Sequence, residues 1–462
     1  TVIALSHNMF DATICLGICD KIVPGQLIGA LKFGHLPTIF VPGGPMETGI
    51  SNEEKAQIRQ DYANGKISRT ELLKGESAAY HSAGTCTFYG TANSNQMLME
   101  IMGLHLPSSS FVNPETPLRY ALTDEAVKQL VTNIKEESKV PLYKIISEKS
   151  IVNGIIGLLA TGGSTNHTMH LVAIAKAAGI IIDWEDFSEL SKIIPSITKV
   201  YPNGKADINH FHAAGGMSYV FRTLLDNGLL HEDVMTVVGK GLNQYINEPY
   251  LENEKLLTRE GPKESLDKDV ISSASSPFDP EGGIRLVKGN MGKAVVKVSA
   301  VALKNRIIEA PAVVFDDQND LLTAFKEKKL NKDFIAVVRF QGPKAKGMPE
   351  LHKLTPTLSI LQHNGFKVAL VTDGRMSGAS GKVPSAIHVS PEALDGGLLP
   401  LLRDGDLLRL DCEKGDLICL NEEEVLKREP APNPKKEVGS GRELFDNIRA
   451  LISSSETGAT IF

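Results

Sequence analysis

Two short stretches of the sequence gather residue types suited to metal chemistry. Cys19-Asp20-Lys21 sets a soft thiolate, a hard carboxylate and an amine side by side. Thiolates select the iron of iron-sulfur clusters and carboxylates select magnesium or manganese, so the adjacent pair could serve two metal sites at once. Taken alone, the tripeptide is better explained as a buried cysteine beside a surface ion pair. The stretch HSAGTCTFYGTANSNQ, residues 81–96, is more distinctive. Its small and polar residues leave Cys86 in a glycine-flanked loop where backbone N–H groups can approach a ligand or inorganic sulfide. It also reads as a helix start capped by Thr or Ser, and the two readings are compatible.

Further candidates lie along the chain. Gly162-Gly163-Ser164-Thr165-Asn166 precedes an apolar helical pattern, so Ser164 and its neighbours could receive a phosphate or carboxylate at a helix N-terminus. An ordinary N-cap explains them equally well. Glu350 follows a predicted strand at 334–340 and Ser377 one at 367–372, which puts both in loops at the C-terminal ends of strands, where α/β proteins gather ligands. By themselves they are a solvated loop carboxylate and a turn serine. Lys344, Lys346 and Lys382 flank those loops and are the candidates for a phosphate. The twelve histidines form no HExxH and the cysteines no CxxC, which disfavours zinc. Cys15 is read as a core residue, and Cys412 and Cys419, on either side of a turn, as packing residues.

The elements that must position these residues fall into two patterns. At 462 residues the chain exceeds what one core organises, so two domains are expected: an N-terminal α/β layered domain over 1–282 and a C-terminal β-rich domain over 283–462. In the first, helical patterns alternate with short apolar runs such as 36–41, read as a buried strand feeding Gly43-Gly44. Ser51 with Glu54, and Ser68 with Glu71, predict two capped helices separated by Gly65. Residues 251–284 are polar and carry Pro262, Pro277 and Pro280, so they read as irregular. Beyond them come strand-like runs at 293–303, 334–340, 366–372 and 406–420, the last with a hairpin signal at Lys414-Gly415-Asp416. A terminal helix is predicted at 441–452.

Composition excludes several classes. A net charge of -6 gives no concentrated basic face, so no nucleic-acid surface is expected. No apolar run is long enough for a transmembrane helix. Five scattered cysteines are no disulfide framework and fit a reducing cytoplasm. Thr1 opens directly into an apolar stretch without a signal-like region, and further residues upstream are expected.

Residues 17–46, 81–107, 158–180, 342–354 and 372–393 resemble the family that holds dihydroxy-acid dehydratase, sugar-acid dehydratases and 6-phosphogluconate dehydratase. The stretches CTFYGTANSNQ, YPNGKADINHFHAAGG and GPKAKGMPELHKL resemble its 6-phosphogluconate branch. That resemblance implies a C-terminal β-barrel-like swivelling α/β domain, a homodimer and a hydro-lyase of the Entner-Doudoroff pathway acting on a phosphorylated sugar acid. It implies an iron-sulfur cluster, [4Fe-4S] in preference to [2Fe-2S], on Cys19 and Cys86. It further implies Mg2+ or Mn2+ on Asp20 and Glu350, with Lys21 matching a lysine carbamylated in some members, and Ser377 as the base. The family pattern also expects a third cluster cysteine and a further metal-binding aspartate before residue 1, and the join at Ser6-His7 is shorter than that pattern. Dehydration of another dihydroxy acid or of an unphosphorylated aldonate is the nearest alternative, and a non-catalytic phosphosugar-binding protein the next.

Overall fold

In a computed structural model, which describes residues 1–63, 65–376, 381–435, 439 and 441–461, the chain forms two compact units. The first comprises Thr1–Ile58, Ile67–Ile182 and Leu190–Gly282, and the second Arg59–Lys66, Asp183–Glu189 and Gly283–Phe462.

The first unit is helix-rich around a small parallel sheet. Strand β1 (Thr13–Gly17) pairs in parallel with β2 (Thr38–Pro42), Thr13 opposite Thr38 and Gly17 opposite Pro42. Parallel neighbours need a crossover, and the Ile22–Leu31 helix supplies it. Every residue of β2 is buried, as an apolar run bounded by turn residues predicts. In β1, Cys15 and Gly17 face inward while Ile14 and Leu16 stay exposed. A Cβ on Gly17 would lie 2.6 Å from Val23 Cγ2 and 2.8 Å from Gln26 Oε1, so only glycine lets the crossover helix fold back this tightly. The largely buried helix Glu148–Ala160 packs against both Thr91–Ile101 and His167–Ala177, and the last also packs against the crossover helix.

The local signals were accurate where a side chain caps its own helix. Ser68 and Glu71 form the reciprocal capping box of the Arg69–Ala79 helix, and Ser51 Oγ accepts the Glu54 N–H at 3.1 Å. Short hairpins close the unit: β3 (Met235–Thr236) with β4 (Gly239–Lys240), and β5 (Asn247–Glu252) with β6 (Lys255–Glu260). The second hairpin corrects the reading of residues 251–260 as irregular. Its turn residues Asn253 and Glu254 both have positive φ, 48° and 62°, the two-residue geometry that suits strand twist but here lacks the usual Asn-Gly signature.

The second unit is built on a closed barrel of eight strands: β7 (Ile284–Gly289), β8 (Gly292–Lys297), β9 (Ile307–Phe315), β10 (Phe334–Val338), β11 (Val368–Thr372), β12 (Ser385–Ser390), β13 (Leu407–Asp411) and β14 (Asp416–Cys419). Their order around the barrel is β10-β11-β12-β8-β7-β14-β13-β9. Side chains alternate in and out as strand geometry requires, with Ile308, Ala310 and Ala312 of β9 buried between the outward Ile307, Glu309 and Pro311. Strands β9, β10, β11 and β12 run parallel, and helices Gln318–Lys326 and Leu354–His363 cross between the first three. Strands β10 and β11 are buried at every residue. Cys412 and Cys419 are buried in this core and pack as expected. The terminal helix is shorter than the sequence suggested: a 3-10 turn at Arg442–Phe445 precedes a helix limited to Asp446–Leu451.

Candidate functional site

In the first unit, one helix organises the two cysteine segments. Thr91–Ile101 is buried along its whole length, yet its first turns carry Asn93, Ser94, Asn95 and Gln96 in succession. At 100° per residue these four amide and hydroxyl groups point in different directions, and each has its own partner. Asn93 Nδ2 donates to the carbonyls of Cys86 at 2.6 Å and Phe88 at 2.7 Å, while its Oδ1 accepts from Thr85 Oγ1 at 2.7 Å, which closes the Cys86 loop. Asn95 Nδ2 donates to the Asp20 carbonyl at 2.8 Å, and Gln96 Nε2 to that of Gly17 at 3.1 Å. The Cys19-Asp20-Lys21 turn and the Cys86 loop therefore hang from the same buried helix.

The topology places both segments at strand ends. Cys19-Asp20-Lys21 is the turn between β1 and the crossover helix, and the Cys86 loop pairs with the loop that leaves β2, through Thr85 N–H to Gly44 O and Met46 N–H to Thr85 O, both 2.9 Å. The C-terminal edge of a parallel sheet is where such ligand loops gather. Cys19 and Lys21 are exposed, and Asp20 and Cys86 half-buried. Burial pushes the Cys86 thiol up, and the nearby Cys19 sulfur adds to this, against the Phe88 N–H and the Lys55 charge that pull it down. The Cys86 thiol thus holds its proton more tightly than a free cysteine does.

Behind this loop lies a buried polar cluster. Ser164 Oγ meets Thr91 Oγ1 at 2.8 Å and accepts the Asn166 N–H at 3.2 Å, and Ser94 Oγ meets His167 Nε2 at 2.8 Å. Burial, helped by His170, holds His167 well below its usual range and therefore neutral. The Ser164 hydroxyl is fully buried and joins the turn before the His167–Ala177 helix to the Thr91–Ile101 helix. Cys15 is buried, and its thiol is pushed up to about 12 by that burial, as befits a core residue.

In the second unit, Glu350 and the segment after β11 come together. Glu350 forms a parallel bridge with Arg375, Leu351 N–H donates to Arg375 O at 3.2 Å, and an Arg375 Nη2 lies 3.6 Å from Glu350 Oε2. Arg375 is buried and anchored by Nε donation to Met348 O at 3.0 Å. Asp373, fully buried just past β11, accepts the N–H groups of Phe340 at 3.1 Å, Gln341 at 2.8 Å and Ala393 at 3.0 Å. Burial raises its pKa to about 6 in spite of those bonds. Ser377 lies outside the described residues. Lys344 Nζ meets both oxygens of Asp395 at 2.7 and 2.8 Å, Lys346 Nζ meets Asp317 at 2.7 Å, and Lys382 is exposed. Among the described residues, no three His, Cys, Asp or Glu side chains converge on a ready-made metal cage.

Sequence reasoning gave no role to Asn93, Asn95, Gln96, Asp373 or Arg375. Only the run of four polar residues inside a buried helix signalled the first three.

Comparison with known proteins finds two matches in succession along the chain. The family described as Dihydroxy-acid/6-phosphogluconate dehydratase N-terminal matches residues 1–245, and its C-terminal counterpart matches residues 269–459. The phosphogluconate dehydratase of Pseudomonas aeruginosa is 60% identical over 466 residues, which cover 100% of this chain and 76% of that protein. That of Escherichia coli K12 is 57% identical, covering 99% of this chain and 77% of its own. A dihydroxy-acid dehydratase from Caldanaerobacter subterraneus is 34% identical over 94% of this chain and 77% of its own.

Proposed function

The chain belongs to the dihydroxy-acid/6-phosphogluconate dehydratase family and is an enzyme of that class, and on this premise we propose that it removes water from 6-phospho-D-gluconate to give 2-dehydro-3-deoxy-6-phospho-D-gluconate, the Entner-Doudoroff step. The observation that carries the substrate is the 57 to 60% identity, across essentially the whole chain, to relatives named phosphogluconate dehydratase, against 34% to one named dihydroxy-acid dehydratase.

The residues fit an iron-sulfur cluster in donor type and placement. Two thiols sit on loops hung from one helix, and the Phe88 N–H points at the Cys86 sulfur, a contact that stabilises cluster-bound thiolates. Cys19 and Cys86 would hold the cluster, [4Fe-4S] rather than [2Fe-2S] because an iron left without a protein ligand suits the chemistry. Asp20, Glu350 and Lys21, if carbamylated, would hold Mg2+ or Mn2+. When bound, the cluster and the cation supply Lewis acidity to the departing C3 hydroxyl and to the substrate carboxylate.

Ser377 would take the C2 proton and return it to the C3 hydroxyl, which leaves as water, and the enol settles to the keto acid. A serine is a weak base unless its alkoxide is stabilised, which a neighbouring cation would do. Arg375 fixes the direction of the Glu350 carboxylate. Lys344, Lys346, Lys382 and Ser164 remain the proposed phosphate contacts, the first two only by leaving Asp395 and Asp317, and Ser164 only by its buried hydroxyl turning away from Thr91. The enzyme works as a homodimer in the cytoplasm. No helix among the described residues is long and apolar enough to cross a membrane.

Parallel anaerobic assays on 6-phosphogluconate, gluconate and 2,3-dihydroxyisovalerate test the reading. Turnover of the phosphorylated acid well above the other two is expected; equal or better activity on either competitor would overturn the substrate.

A further inference from the structure

Lys55 breaks two local preferences at once. It is only 4% exposed, a burial rare for lysine. It also stands in the first turn of the Asn52–Ala63 helix, where the macrodipole disfavours a cation. Local rules broken together are expected where function demands them. What the position gains is proximity to Cys86. Lys55 Nζ donates to Thr87 Oγ1, on the residue next to Cys86, at 3.0 Å, and stands 5.3 Å from the centre of the Phe88 ring.

The lysine is also held in place from behind. The helix start is fixed by Ser51, whose carbonyl accepts the Lys55 N–H at 2.9 Å, and Asn52 Nδ2 donates to the Lys205 carbonyl at 3.4 Å. The segment carrying Lys205 runs along the Cys86 loop in turn, through Ile208 N–H to Thr87 O at 3.0 Å and Tyr89 N–H to Tyr201 O at 3.1 Å. The ammonium thus reaches the loop from a braced helix end.

We propose that Lys55 is a positioning residue for the cluster held by Cys86, its ammonium offsetting the negative charge that thiolate ligation brings into this loop. This rests on the cluster reading above. A fixed positive charge favours the more negative, reduced cluster, so Lys55 raises the reduction potential, and it slows loss of the cluster by balancing the ligated thiolates. Its contribution is electrostatic and comes from outside the ligand set.

The test uses the intact protein purified anaerobically, as wild type, Lys55→Gln, Lys55→Arg and Thr87→Val. Two readouts are taken: the midpoint potential by dye-mediated titration, and the lifetime of the visible cluster absorbance in air. Lys55→Gln is expected to move the midpoint to more negative values and shorten the lifetime by about tenfold, the usual scale for an outer-shell partner. Lys55→Arg keeps the charge and both values. Thr87→Val frees the ammonium from its anchor and moves the midpoint the same way by less, which keeps the proposal testable should Lys55→Gln fail to fold. An unchanged midpoint in loaded Lys55→Gln, or in loaded Thr87→Val where Lys55→Gln does not fold, overturns the assignment alone. So does a defect confined to KM for the phosphorylated acid, which would make Lys55 a substrate contact. A wild-type protein without iron or sulfide overturns the underlying reading and this assignment with it.

Discussion

The two units fix their functional residues by different physics. Around Cys19 and Cys86 the fixing groups are neutral amides, Asn93, Asn95 and Gln96, which reach backbone carbonyls from one buried helix. Around Glu350 they are charged and buried, with Asp373 gathering three backbone N–H groups and Arg375 facing the Glu350 carboxylate. Neutral bonds hold thiol-bearing loops without adding charge that would compete for a metal. Charged ones set both the direction and the electrostatics of a carboxylate. The first region should therefore respond to substitution through metal content, and the second through turnover and pH.

The largest effect expected on the first side is from Cys86→Ser, which should cut bound iron and turnover by at least about 100-fold, measured by iron analysis and anaerobic assay. Next is Asn93→Ala, which removes three hydrogen bonds inside the Cys86 loop and should cost about 3 kcal/mol in chemical denaturation, with reduced iron content. On the second side, Arg375→Met should lower kcat/KM by about tenfold with iron content unchanged, and loss of iron there would erase the contrast between the regions.

The smallest effect is a slope. Asp373 has its folded pKa raised to about 6, above the unfolded value, so its contribution to stability is fully present below the unfolded pKa and is lost as pH rises through about 6. Urea midpoints should fall between about pH 4 and pH 6 in the wild type, and Asp373→Asn should flatten that fall.

How much of this was legible depended on whether a signal was local. Cys19 and Cys86 stood out by residue type, Ser68 with Glu71 by a three-residue spacing, and β2, β10 and β11 by apolar runs. The barrel was expected from the family resemblance alone and not from local patterns, because β12 pairs with β8 and β14 with β7, strands far apart in the chain and joined by backbone bonds that leave no mark on composition. Asn95 and Gln96 were silent for the same reason, since their partners at Asp20 and Gly17 lie 75 and 79 residues away. Lys344 and Lys346 were visible as cations flanking the loops, but their carboxylate partners Asp395 and Asp317 lie 51 and 29 residues off. Ser164 looked like a cap, and its hydroxyl turned inward to Thr91.

Cys19 and Cys86, suspended from one helix, are proposed to hold a single cluster on which dehydration depends. Iron and acid-labile sulfide should be quantified in the intact, anaerobically prepared protein and in its Cys19→Ser and Cys86→Ser variants, alongside turnover of 6-phosphogluconate. Iron and sulfide in equal amounts in the wild type, lost together with turnover in both variants, is the predicted result; full turnover by a preparation free of iron would contradict it.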